Sequence, residues 1–322
     1  MNDSTETVGD NNRGAGAGDA DRATILRILL AAGLLTTAWL GVNVAWSLSD
    51  DTPTFVSAQL MRVAPLWLWL AGTIGILATA TAASWGRRHA EQWLGLLLML
   101  YLVGGLVVEF AVPVLAPAGG VPMESAADSI SFLCQRSFLL LPALAMMGGT
   151  WLVGRSASLH CLALGDWSAS VGLTRGIDVT WRSLFVAWLV GFALPVFLLM
   201  QATVEFAPLS HEGFLALLIP LVGMSLLNGF VEELLFRGLL MPPIVACSGR
   251  TTGLWLQALF FGLHHWGASH AAIENLPAAV VVSLVAVVWG KSVLDTRGLG
   301  WAVVTHATVD FALFSSHFVS TT

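Results

Sequence analysis

The sequence predicts an all-α fold, a polytopic bundle of about eight or nine membrane helices, and three observations carry that expectation. The chain of 322 residues is 56% hydrophobic and only 11% charged, whereas a soluble domain runs nearer a quarter charged. So much apolar surface cannot be hidden in one globular core. Nine apolar runs, at roughly 23–48, 63–85, 93–117, 131–153, 182–204, 213–240, 252–270, 276–293 and 299–318, approach the ~20 residues that a helix needs to cross a bilayer. Finally, arginine and lysine alternate between the connections, as membrane topology requires.

The elements follow in chain order. Residues 1–22 are polar, and Asp3, Glu6, Asp10, Asp19 and Asp21 outnumber Arg13 and Arg22. With no apolar period, this segment reads as a disordered cytoplasmic tail. The first run, from Ala23 to about Trp46, is longer than the ~7–15 residues of a signal-peptide core and reads as a membrane helix. Residues 23–178 form an N-terminal group of helices, with 120–131 expected on the surface as a short interfacial helix. The fourth run carries Gln135 and Arg136 near its start. Residues 179–319 form a second group. Trp46, Trp85, Trp93, Trp151, Trp181, Trp255 and Trp301 sit near the ends of apolar runs, the pattern of an interfacial aromatic belt.

Orientation follows from the cations. Arg22 and Arg27, Arg87 and Arg88, Arg155, Arg175 and Arg182, Arg237 and Arg250, then Lys291 and Arg297 occupy alternate connections. This places the N-terminus in the cytoplasm of a multi-pass cell-membrane protein. Cys134, Cys161 and Cys247 form no paired motif and read as small buried hydrophobes. No basic patch points to nucleic acid, so the expected partners are the lipid bilayer and membrane-associated molecules.

Ionisable groups inside a bilayer cost about 2.5–3.5 kcal/mol each, so function is sought where they collect. The sixth run carries Asn228, Glu232, Glu233 and Arg237, the seventh Phe260, Phe261, His264 and His265, and the ninth His306 and Asp310. Glu233 and Arg237 stand i,i+4 and share a helix face. A buried carboxylate with no such partner is driven to its neutral form. Adjacent Glu232 and Glu233 point about 100° apart, so Glu233 is expected to pair with Arg237 while Glu232 is the working acid. Asn228, one turn before Glu232, is placed to orient it. Taken alone, each group has a bland reading: a buried ion-pair lock for the acids, packing for a histidine. Their conjunction on three helices favours a site. At 1.5 Å per residue, Glu232 lies ~13 Å, His306 ~10 Å and His265 ~20 Å from the arginine-rich side.

These residues resemble the CPBP family of intramembrane proteases, which includes type II CAAX prenyl endopeptidases and bacterial abortive-infection and bacteriocin-processing proteins. Glu232, Glu233 and Arg237 match the first motif, Phe261 and His265 the second, and His306 and Asp310 the third; Phe260 and His264 fit the second motif too. The resemblance covers roughly 180–318. The third motif ends in Asp310 where the eukaryotic prenyl proteases have Asn. The resemblance implies hydrolysis of a membrane-associated protein or peptide substrate, with Glu232, Glu233, His265 and His306 catalytic and Arg237, Phe261, Asp310 and Asn228 in support. Glu232 and His265 would activate water, and His306, oriented by Asp310, would serve the oxyanion. Glu232, His265 and His306 are also a ligand set for one divalent metal ion such as zinc, and the family has been described both as metal-dependent and as glutamate-type. The motifs of zinc site-2, rhomboid and aspartyl intramembrane proteases are missing from the sequence. A non-catalytic partner-binding or immunity protein, and a proton-coupled transporter, are the competing readings.

Overall fold

The computed structural model describes residues 13–49, 66–83, 90–115, 137–138, 140–152, 162–172, 179–202, 211–268 and 275–319. Residues 1–12, the expected surface helix at 120–131, and the connections carrying Arg87, Arg88, Arg155 and Arg175 lie outside them. Among the described residues the fold is helical, with one isolated antiparallel bridge between Ser170 and Thr180. The N-terminal helices are α1 (Arg13–Ser49), α2 (Leu66–Ala83), α3 (Ala90–Leu115) and α4 (Leu140–Leu152). Then α5 (Trp181–Trp188), a π-helical turn (Leu189–Ala193) and α6 (Leu194–Ala202) run on as one rod. The C-terminal helices are α7 (His211–Glu233), a π-helical segment (Leu234–Leu240), α8 (Met241–Ser248), α9 (Arg250–Ala268), α10 (Leu276–Thr296) and α11 (Gly300–Val319).

Among the described residues four helical stretches are long and apolar enough to cross a membrane: Ala23–Val44, Trp181–Met200, Leu218–Ser248 and Leu276–Thr296. Shorter apolar helices cover Leu70–Ala82, Gln92–Val107 and Leu140–Leu152. The helices α9 and α11 carry the site histidines, and those polar groups lower their apolar character. Many large apolar side chains on α1, α5, α6, α7 and α10 face outward, Ile219 and Val186 among them, as a lipid-facing surface requires.

Two expectations about helix limits are corrected. The first helix starts at Arg13 rather than Ala23, although Gly14, Gly16, Gly18, Asp19 and Asp21 have low helix propensity, and the apolar span within it still begins at Ala23. The sixth run does not end at residue 240 but continues through α8 to Ser248. Pro242 and Pro243 stand in the first turn of α8. Proline has no N–H to donate and its ring collides with the carbonyl four residues back. The wider π-helical turns absorb this, and the N–H of Met241 bonds back to Phe236 O. Gly249 then adopts φ 81°, a conformation open to glycine, and α9 begins at the next residue. Glu232 and His265 therefore stand almost equally far along the chain from Gly249, which removes the expected mismatch in depth.

The C-terminal helices pack as two close pairs, α9 on α10 and α7 on α11. At Gly262 a Cβ would fall on Ser283 Oγ and stand 2.6 Å from Ala279 O. Gly262→Ala should force α9 and α10 apart and cost about 1–3 kcal/mol, seen as earlier thermal unfolding in detergent; an unchanged melting point would contradict the close packing.

The N-terminal helices close over this core. Trp39 of α1 donates from Nε1 to Leu263 O at 2.7 Å and stacks on Trp266 at 5.8 Å, while α3 packs on the π-helical segment and α8. The loop at 162–172 caps the turn between α10 and α11 through Asp166 N–H to Thr296 O at 2.8 Å and Leu299 N–H to Ala163 O at 2.9 Å. In that loop the Ser168 hydroxyl, followed by its backbone N–H, holds the Asp166 carboxyl below its ordinary range. Trp181 and Trp301 are not interfacial as their positions suggest. They are buried and meet edge to face at 4.8 Å. Trp151 and Trp255 are exposed, in keeping with a belt.

Candidate active site

Three helices bring the ionisable groups together. Glu233 ends the regular part of α7, and one of its oxygens, Oε1, accepts from Arg237 Nη1 at 2.9 Å and from His306 Nδ1 at 2.8 Å. Arg237 and Glu233 have no exposed side-chain surface. The guanidinium also lies 3.9 Å above the Phe261 ring and 5.3 Å from that of Trp289, a cation–π setting. Arg237 is thus deep in the bundle, not at a helix end as its place in the arginine pattern suggests.

The histidines are aimed by their Nδ1 hydrogen bonds. A carbonyl oxygen can only accept, so His265 Nδ1 carries the hydrogen it shares with Phe261 O at 2.9 Å. Glu233 Oε1 already accepts from Arg237, so His306 Nδ1 donates as well. Each ring consequently turns Nε2 toward Glu232, and His306 Nε2 lies equally near Asp310. His265 Nε2 lies 3.6 Å and His306 Nε2 3.7 Å from Glu232 Oε2. These separations exceed a direct hydrogen bond. Trp289 stacks on His306 at 4.2 Å and 11°, fixing the plane of the ring. Side-chain exposure rises from 5% at His306 to 13% at Glu232 and 33% at His265, so the site opens along the His265 side.

Two supporting residues differ from expectation. Asn228 does not orient Glu232; it donates from Nδ2 to Asp310 Oδ2 at 3.0 Å. Asp310 does not hydrogen-bond His306, its Oδ1 standing 3.7 Å from Nε2. Glu233 holds that ring instead. Both pairings join α7 to α11, and neither is visible in spacing along one helix. Of the two histidines that fit the second motif, His265 faces Glu232, while His264 Nδ1 hydrogen-bonds the Tyr101 hydroxyl at 2.9 Å.

The residue types suit zinc, but among the described residues no three His, Cys, Asp or Glu groups close around a metal ion. With bonds of ~2.0–2.1 Å a tetrahedral site has edges of about 3.4 Å, shorter than either Nε2–Glu232 separation.

Residues 214–312 match the family model described as Rce1-like, the type II CAAX prenyl endopeptidase group. This segment resembles that group. No curated protein and no solved structure matches the chain. The Rce1-like segment takes in every motif residue from Glu232 to Asp310. Between it and the rod of α5 and α6 lies an apolar cleft of about 400 Å³, bounded by Leu194, Phe197, Val222, Leu226, Ala307 and Phe311 among others. Its Ala307 wall adjoins His306. Three further site neighbours escaped the sequence reading: Trp289, Phe236 and Tyr101. Trp289 had one signal, a tryptophan in the interior of an apolar run rather than at its end. Tyr101 lies outside the Rce1-like segment, and its only signal is that it is the single tyrosine in the chain.

Proposed function

We propose that this chain is an intramembrane endopeptidase that hydrolyses peptide bonds of membrane-associated proteins or peptides. The observation that carries the reading is the convergence of two histidine Nε2 atoms on Glu232 Oε2, at 3.6 and 3.7 Å, within a segment matching the type II CAAX endopeptidase model. Glu232 and His265 form the accessible side. A water there gives a proton to the Glu232 carboxylate, with His265 Nε2 accepting its second hydrogen bond. The hydroxide adds to the scissile carbonyl carbon, and the carbonyl electrons move to oxygen. His306, protonated at Nε2 in this step, donates to that oxyanion. The proton on Glu232 passes to the amide nitrogen, the C–N bond breaks, and a carboxylic acid and an amine depart, the acid then giving its proton to water. Glu233, Arg237 and Trp289 hold His306 in place throughout.

The cytoplasm is the side to which we assign the opening. Arg27 reaches Ala246 O at 3.4 Å, and Arg250 and Lys291 both pair with Asp295, at 2.6 and 2.7 Å. Cations from three arginine-rich connections thus collect at one end of the bundle, which supports a cytoplasmic N-terminus. The apolar cleft beside Ala307 suits a substrate held by its membrane anchor.

The test is cleavage by the purified protein in liposomes, offered prenylated and unprenylated membrane-anchored peptides, with products read by mass spectrometry. Cleavage is expected, with activity surviving chelation if Glu232 and His265 suffice. Loss on chelation, restored by zinc, would instead assign a metal to Glu232, His265 and His306. No cleavage across the panel would favour a partner-binding role.

A further inference from the structure

Tyr101 is 7% exposed and comes from α3, more than a hundred residues before the matched segment 214–312. Its ring meets Phe236 at 5.8 Å, Phe260 at 6.2 Å and His264 at 6.0 Å, all edge to face. Phenylalanine would pack there equally well, and the chain has 16 of them against one tyrosine. The hydroxyl is therefore the distinguishing group. Burying it costs free energy unless it is bonded, and its partner is His264 Nδ1 at 2.9 Å. It also lies within electrostatic reach of Glu232. His264 contacts Phe236 at 5.3 Å and its neighbour His265 at 5.7 Å.

We propose that Tyr101 is a positioning residue of the Glu232–His265 pair, acting through its hydrogen bond to His264, so that a helix outside the Rce1-like segment completes the site. Consecutive residues on a helix diverge by about 100°. Holding His264 against α3 therefore sets the rotation of α9 at the level of the site and directs His265 at α7. An imidazole tip stands roughly 6–7 Å from its helix axis, so a turn of ~10° moves Nε2 by about 1 Å. A displacement of that size can cost ~10²-fold in rate. The Trp39–Trp266 stack and the Trp39–Leu263 hydrogen bond restrain the same helix from α1, so the loss from Tyr101 alone is smaller.

The kinetic part of the test rests on the proposed peptidase reading; the chemical part does not. In the full chain in liposomes, Tyr101→Phe should lower kcat about tenfold at unchanged KM and unchanged thermal stability. His264→Ala also removes the ring contacts with Phe236 and His265, so it should lower kcat at least as far and melt earlier, and the double variant should be no worse than His264→Ala, since the Tyr101 bond is already lost in it. Additive losses, or a wild-type kcat in Tyr101→Phe, would overturn the proposal. Independently, carbethoxylation of the imidazoles by diethyl pyrocarbonate, resolved by residue with tandem mass spectrometry, should change in rate at least threefold at His265 in Tyr101→Phe. An unchanged His265 rate would overturn it as well. If wild type cleaves nothing, the peptidase reading fails while the labelling still decides the role of Tyr101.

Discussion

Glu232→Gln should lower kcat by a factor of about 10²–10⁴ and leave the protein folded with its melting point little changed. The amide keeps the size of the side chain but cannot take a proton from water. Its neighbours lose little structurally. His265 stays fixed by its bond to Phe261 O, and His306 by Glu233 Oε1. Because Glu232 is not part of the Glu233–Arg237 pair, removing its charge leaves that pair intact. Substrate affinity should change much less than turnover, since the carboxylate acts on water rather than on the substrate's anchor. A rate within threefold of wild type would take Glu232 out of the chemistry.

Arg237→Leu should give the largest loss of stability. It leaves Glu233, with no exposed side-chain surface, without its counter-charge. Breaking a buried ion pair from one side costs about 3–5 kcal/mol, equivalent to roughly 4–7 °C in melting temperature for a chain of this size. It also removes the cation packed on Phe261 and near Trp289, loosening the two rings beside the histidines. Combining it with Glu233→Gln should recover much of the stability, because the uncompensated charge is gone and the amide oxygen can still accept from His306 Nδ1. The comparison is read as thermal unfolding of the three variants in one detergent. A double variant no more stable than Arg237→Leu would show that packing, not charge, dominates at this position.

The parts of the site that lie on one helix were legible before the structure. The Glu233–Arg237 pair and the Phe261–His265 contact follow from i,i+4 spacing, because helix periodicity sets those residues side by side. Contacts between helices were not. That Glu233 rather than Asp310 grips His306, that Asn228 serves Asp310, and that His264 turns to Tyr101 all depend on which faces meet, and one helix's spacing is silent on that. Trp181 and Trp301 illustrate the same limit at the level of the fold. Each ends an apolar run, yet they meet in the core because the loop before α5 folds over the start of α11. The extension to Ser248 was hidden by Pro242 and Pro243, which ordinarily signal a helix end and here follow a backbone already widened to receive them.

That widened backbone has a bearing on which changes in chain length this protein tolerates. Each residue advances an α-helix by about 100°, and a π-helical turn holds a residue beyond the regular count. Deleting one residue between Glu233 and Met241 could restore ordinary helical bonding, but it would swing Glu232 and Glu233 around the axis relative to α8. Since α8 is held against α9, the acids would be the part displaced, away from both histidines. The number of residues separating the acid pair from the prolines is therefore as much a determinant of the site as the identity of the acids themselves.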